Sequence, residues 1–242
     1  MTRATSGVII RESRKHAVAT MRTMTSKNLD VAAKEQSRRQ LWVELARTEI
    51  LDATEQLLRK MPFSELNVTI VMAQTRLSRS SFYEYFKDLH EVLVTLTGRV
   101  VQEMAELTRE VDGRAPSAQD RVGYLAALRE KYLISCRLHR RHRHLYRALV
   151  EAANSDTTVA RLLEDYLETM TQGAMDNLKN VQKAGGGKGL NVRETARAMI
   201  LMTEGYILEK LCRGHTADLE EVTDIMLTIL DRVCFGQVPP LP

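Results

Sequence analysis

Cysteine, proline, glycine and aromatic residues are all scarce in this chain, and each scarcity removes a class of structure. Its three cysteines, Cys136, Cys212 and Cys234, are far apart and form no Cys-x-x-Cys pair. That argues against a disulfide scaffold or a zinc ribbon and for reduced, buried thiols. Five prolines and twelve glycines in 242 residues, with no period-2 alternation of apolar and polar side chains, leave little from which to read a sheet. No apolar run reaches eighteen residues, and the N-terminus lacks a signal-peptide core. The expectation is a cytoplasmic protein with no membrane partner. What is abundant, namely Ala, Leu, Arg, Glu and Met, favours helices, so the fold class expected is all-α.

Charge is unevenly spread. Residues 1–40 hold nine Lys/Arg against three Asp/Glu, while the whole chain carries only +4. Residues 1–37 read as a basic, flexible arm, which is either a phosphate-attracting extension or a plain leader. From Lys34 to Arg47 the composition already suits a helix.

The segment Val68 to Phe86, VTIVMAQTRLSRSSFYEYF, fits two short helices joined by a tight turn. Asn67 and Ser78 are natural N-caps. Phe82 and Phe86, four apart, anchor one face of the second helix. Its other face offers Arg79, small hydroxyls and Tyr83 and Tyr85 to a DNA major groove. The DNA-contact set expected from these residues is Asn67, Thr69, Ser78, Arg79, Ser80, Ser81, Tyr83 and Tyr85. A purely structural helical hairpin would seldom leave two tyrosines and an arginine off its buried face.

From about Leu45 to Leu93 the chain resembles the DNA-binding domain of the tetracycline-repressor (TetR) family. Ile50 to Ala53 with Leu57-Leu58 match the first helix, Leu66 to Thr75 the second, and Leu77 to Phe86 the recognition helix. The resemblance implies a helix-turn-helix domain at 38–88 and a ligand-binding and dimerisation bundle at 89–242, about nine helices in all. The partners it implies are a double-stranded DNA operator, a small-molecule effector and a second copy of the chain. Three departures stand out. Arg76 replaces the usual turn glycine, so the turn is either strained at positive φ or reshaped. Met72 and Thr75 replace alanines, which should move the two helices apart. The family's phosphate-binding lysine is missing at Leu89, leaving Lys87 as its substitute, and the resemblance thereby adds Lys87 to the DNA-contact set.

Caps outline the remaining helices. Asp88 with Glu91 opens a fourth to about Val111; Ser117 a fifth to about Cys136; a sixth ends near Ala153; Ser155 opens a seventh to about Val181. Gly185 to Gly189 reads as a flexible linker. Asn191 with Glu194 opens an eighth helix stopped by Gly214, and Thr216 a ninth ending at Gly236.

On the last helix Leu219, Val222, Met226, Ile229 and Val233 step by three and four, a stripe that suits either intrachain packing or a symmetric dimer. The pocket set expected among the middle helices is Met104, Tyr124, Leu128, Tyr132, Tyr146, Tyr166, Met170, Met199, Met202 and Tyr206. Met and Tyr around a bundle interior suit an adaptable apolar pocket with a few hydroxyls, although each could be ordinary core.

Two motifs are set aside. His139, His142 and His144 lie among five arginines that would repel a cation, which reads as a solvated basic face rather than a metal site. Gly185-Gly186-Gly187-Lys188-Gly189 lacks the Ser/Thr and the strand of a phosphate loop. With no nucleophile–base pairing either, no catalytic residue, metal or cofactor is assigned, and an enzyme is not expected. The reading is a ligand-responsive homodimeric regulator, most simply a repressor. The alternative is an effector-independent DNA-organising or division-control protein on the same fold.

Overall fold

Local caps set the helix starts in the computed structural model, which describes residues 35–213 and 217–236. The chain divides into two compact units, 1–49 and 50–242. Residues 35–58 are helical and are called α1 here; in the first unit Leu41, Trp42 and Leu45 are exposed and Ala46 is buried. The residues of the basic arm before position 35 lie outside the described ones.

In the second unit α2 is Val68–Met72 and α3 is Phe82–Tyr85, the latter entered through a 3-10 turn at Arg79–Ser81. Then follow α4 (Leu89–Arg114), α5 (Arg121–Arg141), α6 (Arg143–Ala153), α7 (Thr157–Lys183), α8 (Val192–Ile207) and α9 (Leu219–Phe235). Among the described residues the fold is all-α, with nine helices and no strand. No helix among them is long and apolar enough to cross a membrane.

Several expected caps move. Asp120, not Ser117, caps α5, its carboxylate accepting from the Gly123 N–H. Asp156, not Ser155, caps α7 through the Thr158 and Val159 N–H groups. Asp218 caps α9; the expected opener Thr216 and stop Gly214 lie outside the described residues. In each case the structure uses a carboxylate rather than the hydroxyl read from sequence, and a carboxylate also complements the helix dipole. Helix α5 runs to Arg141 rather than Cys136, because basic side chains favour a last turn. The glycine run is an ordered turn, not a flexible linker. Gln182 donates to the Gly187 carbonyl at 3.0 Å. A Cβ at Gly186 would lie 2.5 Å from the Cys234 carbonyl oxygen, so side chains are excluded there.

Three apolar clusters organise the second unit. The first joins α1, α2, α3 and α4 with Leu145, Ala148, Leu149 and Ala152 of α6 around Phe82 and Phe86. The second gathers Cys136, Ile207, Leu211, Cys212, Val222 and Met226. The third gathers Tyr124, Leu178, Val181, Ala196 and Cys234.

Candidate nucleic-acid interface and regulatory cluster

The turn between α2 and α3 is reshaped. No described non-glycine residue has positive φ, so Arg76 carries no left-handed strain. Thr75 does the work instead: its hydroxyl donates to the Met72 carbonyl at 2.9 Å and accepts from the Leu77 N–H at 3.2 Å. A side-chain turn of this type replaces the glycine's conformational freedom. Two of the departures from the family pattern are therefore one compensated change.

Asn67 caps α2, its side chain accepting from the Ile70 N–H at 3.0 Å. The Ser78 hydroxyl accepts from the Ser81 N–H and lies 2.9 and 2.7 Å from the Ser80 and Ser81 hydroxyls. Phe82 and Phe86 are buried beneath, their ring centroids 6.0 Å apart. This anchoring leaves Thr69, Ser78, Arg79, Ser80 and Lys87 exposed and Tyr83 61% exposed. Four members of the expected contact set serve the fold instead: Asn67 and Ser78 as the caps just described, and Ser81 and Tyr85 by packing. Ser81 is half-buried and engaged with Ser78, and Tyr85 packs against the core beside Phe82. The face left for a partner is Arg79, Ser80 and Tyr83, with Thr69 and Lys87 at its flanks.

Behind this face, Glu151 of α6 accepts from the Phe63 and Ser64 N–H groups at 3.1 and 3.0 Å, holding the turn that precedes α2. Hydrogen bonds from Ser64 and these N–H groups lower the Glu151 pKa below its ordinary value.

The middle helices converge on a polar cluster. His139 of α5 is 1% exposed, and its ring stacks on Tyr146 of α6 at 4.1 Å. Its Nε2 lies 3.3 Å from a Glu204 carboxylate oxygen, an ion-pair distance without the alignment of a hydrogen bond. Tyr166 of α7 donates to the other Glu204 oxygen at 3.2 Å. Cys212 reaches the His139 carbonyl at 3.7 Å from a π-helical turn, Leu208–Cys212, that continues α8. Such turns recur at functional sites. Burial pushes the Tyr132 and Cys212 pKa values up to about 12, so both stay protonated.

No family model matches the sequence, and no curated protein matches it. Solved structures do. A Rhodococcus sp. protein described as a TetR-family transcriptional regulator superposes with a TM-score of 0.64 at 20% identity, covering 78% of this chain and 98% of that one. The repressor of the Stenotrophomonas maltophilia multidrug efflux pump SmeDEF, SmeT, gives 0.60 at 18% identity, covering 81% and 97%. Thermus thermophilus FadR, a TetR-family repressor solved with lauroyl-CoA, gives 0.58 at 19% identity, covering 81% and 98%. The fold is that of the TetR-family regulators.

Within the TetR fold, the expected pocket residues do not form one group. Tyr124, Leu128 and Met199 belong to the third cluster; Tyr132, Tyr146 and Tyr206 belong to the second. Tyr166 joins the polar cluster through Glu204. Met104 and Met170 are half-buried, and Met202 is exposed, on the outer side of α8. Sequence reasoning missed Glu204 and misread His139 as part of a solvated face. The arginines of that stretch do face solvent, but all three histidines turn inward. The available signal was their alternation with arginine, which sorts the segment into a basic outside and an imidazole inside.

The α9 stripe also needs correction. Leu219, Val222 and Met226 are buried against Ile207, Leu211 and Cys136 of the same chain, so they cannot present a surface to a second copy. Val233 is half-buried, and Ile229 alone of the five is exposed. Ile225 of α9 and Leu201 and Met202 of α8 are exposed apolar side chains as well.

Proposed function

We propose that the protein is a homodimeric, DNA-binding transcriptional regulator, a repressor released from a palindromic operator by a small molecule in the cytoplasm. Residues 38–88 read DNA, and residues 89–242 bind the effector and pair the subunits. The observation that carries this reading is the Arg79, Ser80 and Tyr83 face, held outward by Phe82 and Phe86 and by the Ser78 cap. Arginine at the start of such a helix suits base edges and phosphates, and a tyrosine hydroxyl suits a phosphate. The spelling from Phe82 to Phe86, with Leu93 to Leu96 and Arg99 to Val101, is also similar to the mycobacterial ethionamide-resistance regulator, which is the finer family reading.

The ligand half of the proposal rests on Glu204 and His139. A bundle core needs no carboxylate for packing, and a buried polar group without an aligned partner calls for an explanation. An effector with an apolar body and one hydrogen-bond donor would meet Glu204 while its body lies among the tyrosines. It releases DNA only by preferring the state whose half-site spacing is wrong.

Pairing of the subunits falls to the exposed apolar residues of α8 and α9. Ile229→Glu is expected to convert dimer to monomer in sedimentation without unfolding the chain, since the side chain is not part of the monomer's core. A persistent dimer would place the interface elsewhere. The function itself is tested by selecting duplexes from a random-sequence library on the full-length protein. Enrichment of an inverted repeat is expected. Recovery of DNA without sequence preference would favour the DNA-organising alternative.

A further inference from the structure

The histidines set aside in sequence meet a carboxylate in the fold. Glu55, on α1, lies 87 residues before His142, yet its Oε1 is 3.6 Å from His142 Nδ1 and 3.2 Å from His144 Nε2. All three ligand atoms lie within 4.8 Å of one another. The other nitrogen of His142, Nε2, is 3.3 Å from a Glu103 oxygen on α4. His142 and His144 are two apart, a spacing that would point them to different sides of one helix. Here His142 is the junction between α5 and α6, with φ −102 and ψ 22, and the break lets both rings face Glu55.

We propose that Glu55, His142 and His144 form a binding site for a divalent transition-metal ion of the zinc class, with Glu103 orienting His142 from behind. Tetrahedral zinc with bonds of about 2.0–2.1 Å sets its donor atoms about 3.3 Å apart, and the two separations to Glu55 bracket that value. Two imidazoles and one carboxylate, with the fourth position open to water, is a zinc donor set. The Glu103–His142 contact is the carboxylate–histidine arrangement that fixes a ligand's ring and raises its basicity. All three ligand side chains are largely shielded, whereas the surrounding arginines face solvent. Arg59 shares the Glu55 oxygen at 3.1 Å, but its side chain is more than half exposed and can move aside. An ion here would clamp α1 to the start of α6.

The test is independent of DNA binding. Full-length protein freed of metal with a chelator is titrated with Co2+, whose visible absorption is strong in tetrahedral sites. The expected result is saturation at one ion per chain, displacement by Zn2+, and a Zn2+-induced rise in Tm. His144→Gln and Glu55→Gln should abolish the absorption, and Glu103→Gln should weaken binding by about 10- to 100-fold while keeping the tetrahedral spectrum. Circular dichroism identifies any variant that fails to fold, and Glu103→Gln, which leaves all three ligands in place, then decides. Absence of tetrahedral absorption in the wild type, or its persistence in folded His144→Gln, overturns the site. So does equal affinity in Glu103→Gln.

Discussion

Phe82 and Phe86 lie in a cluster of buried apolar side chains, and the buried Thr54 on α1 donates its hydroxyl to the Ile50 carbonyl of its own helix at 2.8 Å. Around Tyr146 the interior takes in His139, Thr203 and the edge of Glu204, and the His139 Nε2 has no aligned hydrogen bond. The first region is built to hold one shape. It presents a fixed face, and rigid anchoring lowers the cost of ordering that face on a partner. The second retains polar groups that an incoming molecule could satisfy better than the protein does. The two regions meet at α6, which contributes Leu145 and Leu149 to the first core and Tyr146 to the second. Glu151 on the same helix grips the turn before α2. A change around Tyr146 therefore has a short physical route to α2 and α3, the helices proposed to read DNA.

The largest expected effect breaks the first region. Phe82→Ala should cost about 3–5 kcal/mol, because the side chain is fully buried and its removal leaves a cavity. Denaturant unfolding measures it, and a cost below about 1 kcal/mol would mean the core is looser than described.

A smaller effect is expected at the polar cluster. Glu204→Ala strips Tyr166 of its acceptor and His139 of its neighbouring carboxylate, and should cost about 1–3 kcal/mol. The double variant His139→Phe with Glu204→Leu should recover the His139 share of that loss, because an apolar pair of similar volume needs no partners, while the Tyr166 hydroxyl stays unmet. Failure of the double variant to recover would show that the cluster serves stability rather than recognition.

The smallest effect is acid-dependent. The folded-state pKa of Glu151 is depressed, so its contribution is complete above the ordinary carboxylate value of 4.5 and is lost as pH falls through the lower folded value. Glu151→Gln should lower stability near neutral pH and flatten the acid limb of the stability profile. Parallel profiles for wild type and variant would mean that the Ser64 and Phe63 contacts contribute nothing.

The first region was legible in the sequence because its determinants are local. Asn67 and Ser78 cap within three residues, and the Phe82–Phe86 pair lies one turn apart, so spacing alone places them. The Thr75 turn was harder, since a glycine-free reversal shows itself only when a hydroxyl bridges both sides. The second region depends on long-range meetings. Glu204 reaches His139 across 65 residues, and Glu55 reaches His142 across 87. No periodicity records such partners. The α9 stripe was legible as a stripe, but whether Met226 faces its own chain or a second copy is a tertiary fact that a heptad pattern does not carry.

The central claim is that Arg79 and Tyr83 read DNA from a rigid platform. The direct measurement is fluorescence-anisotropy titration of the library-selected duplex, at fixed salt, with wild type, Arg79→Ala, Tyr83→Phe and the control Arg137→Ala, which removes an exposed arginine of α5. The account predicts a loss of about tenfold or more for Arg79→Ala, a smaller loss for Tyr83→Phe, and no change for Arg137→Ala, all with wild-type folding. Wild-type affinity in both Arg79→Ala and Tyr83→Phe would contradict it.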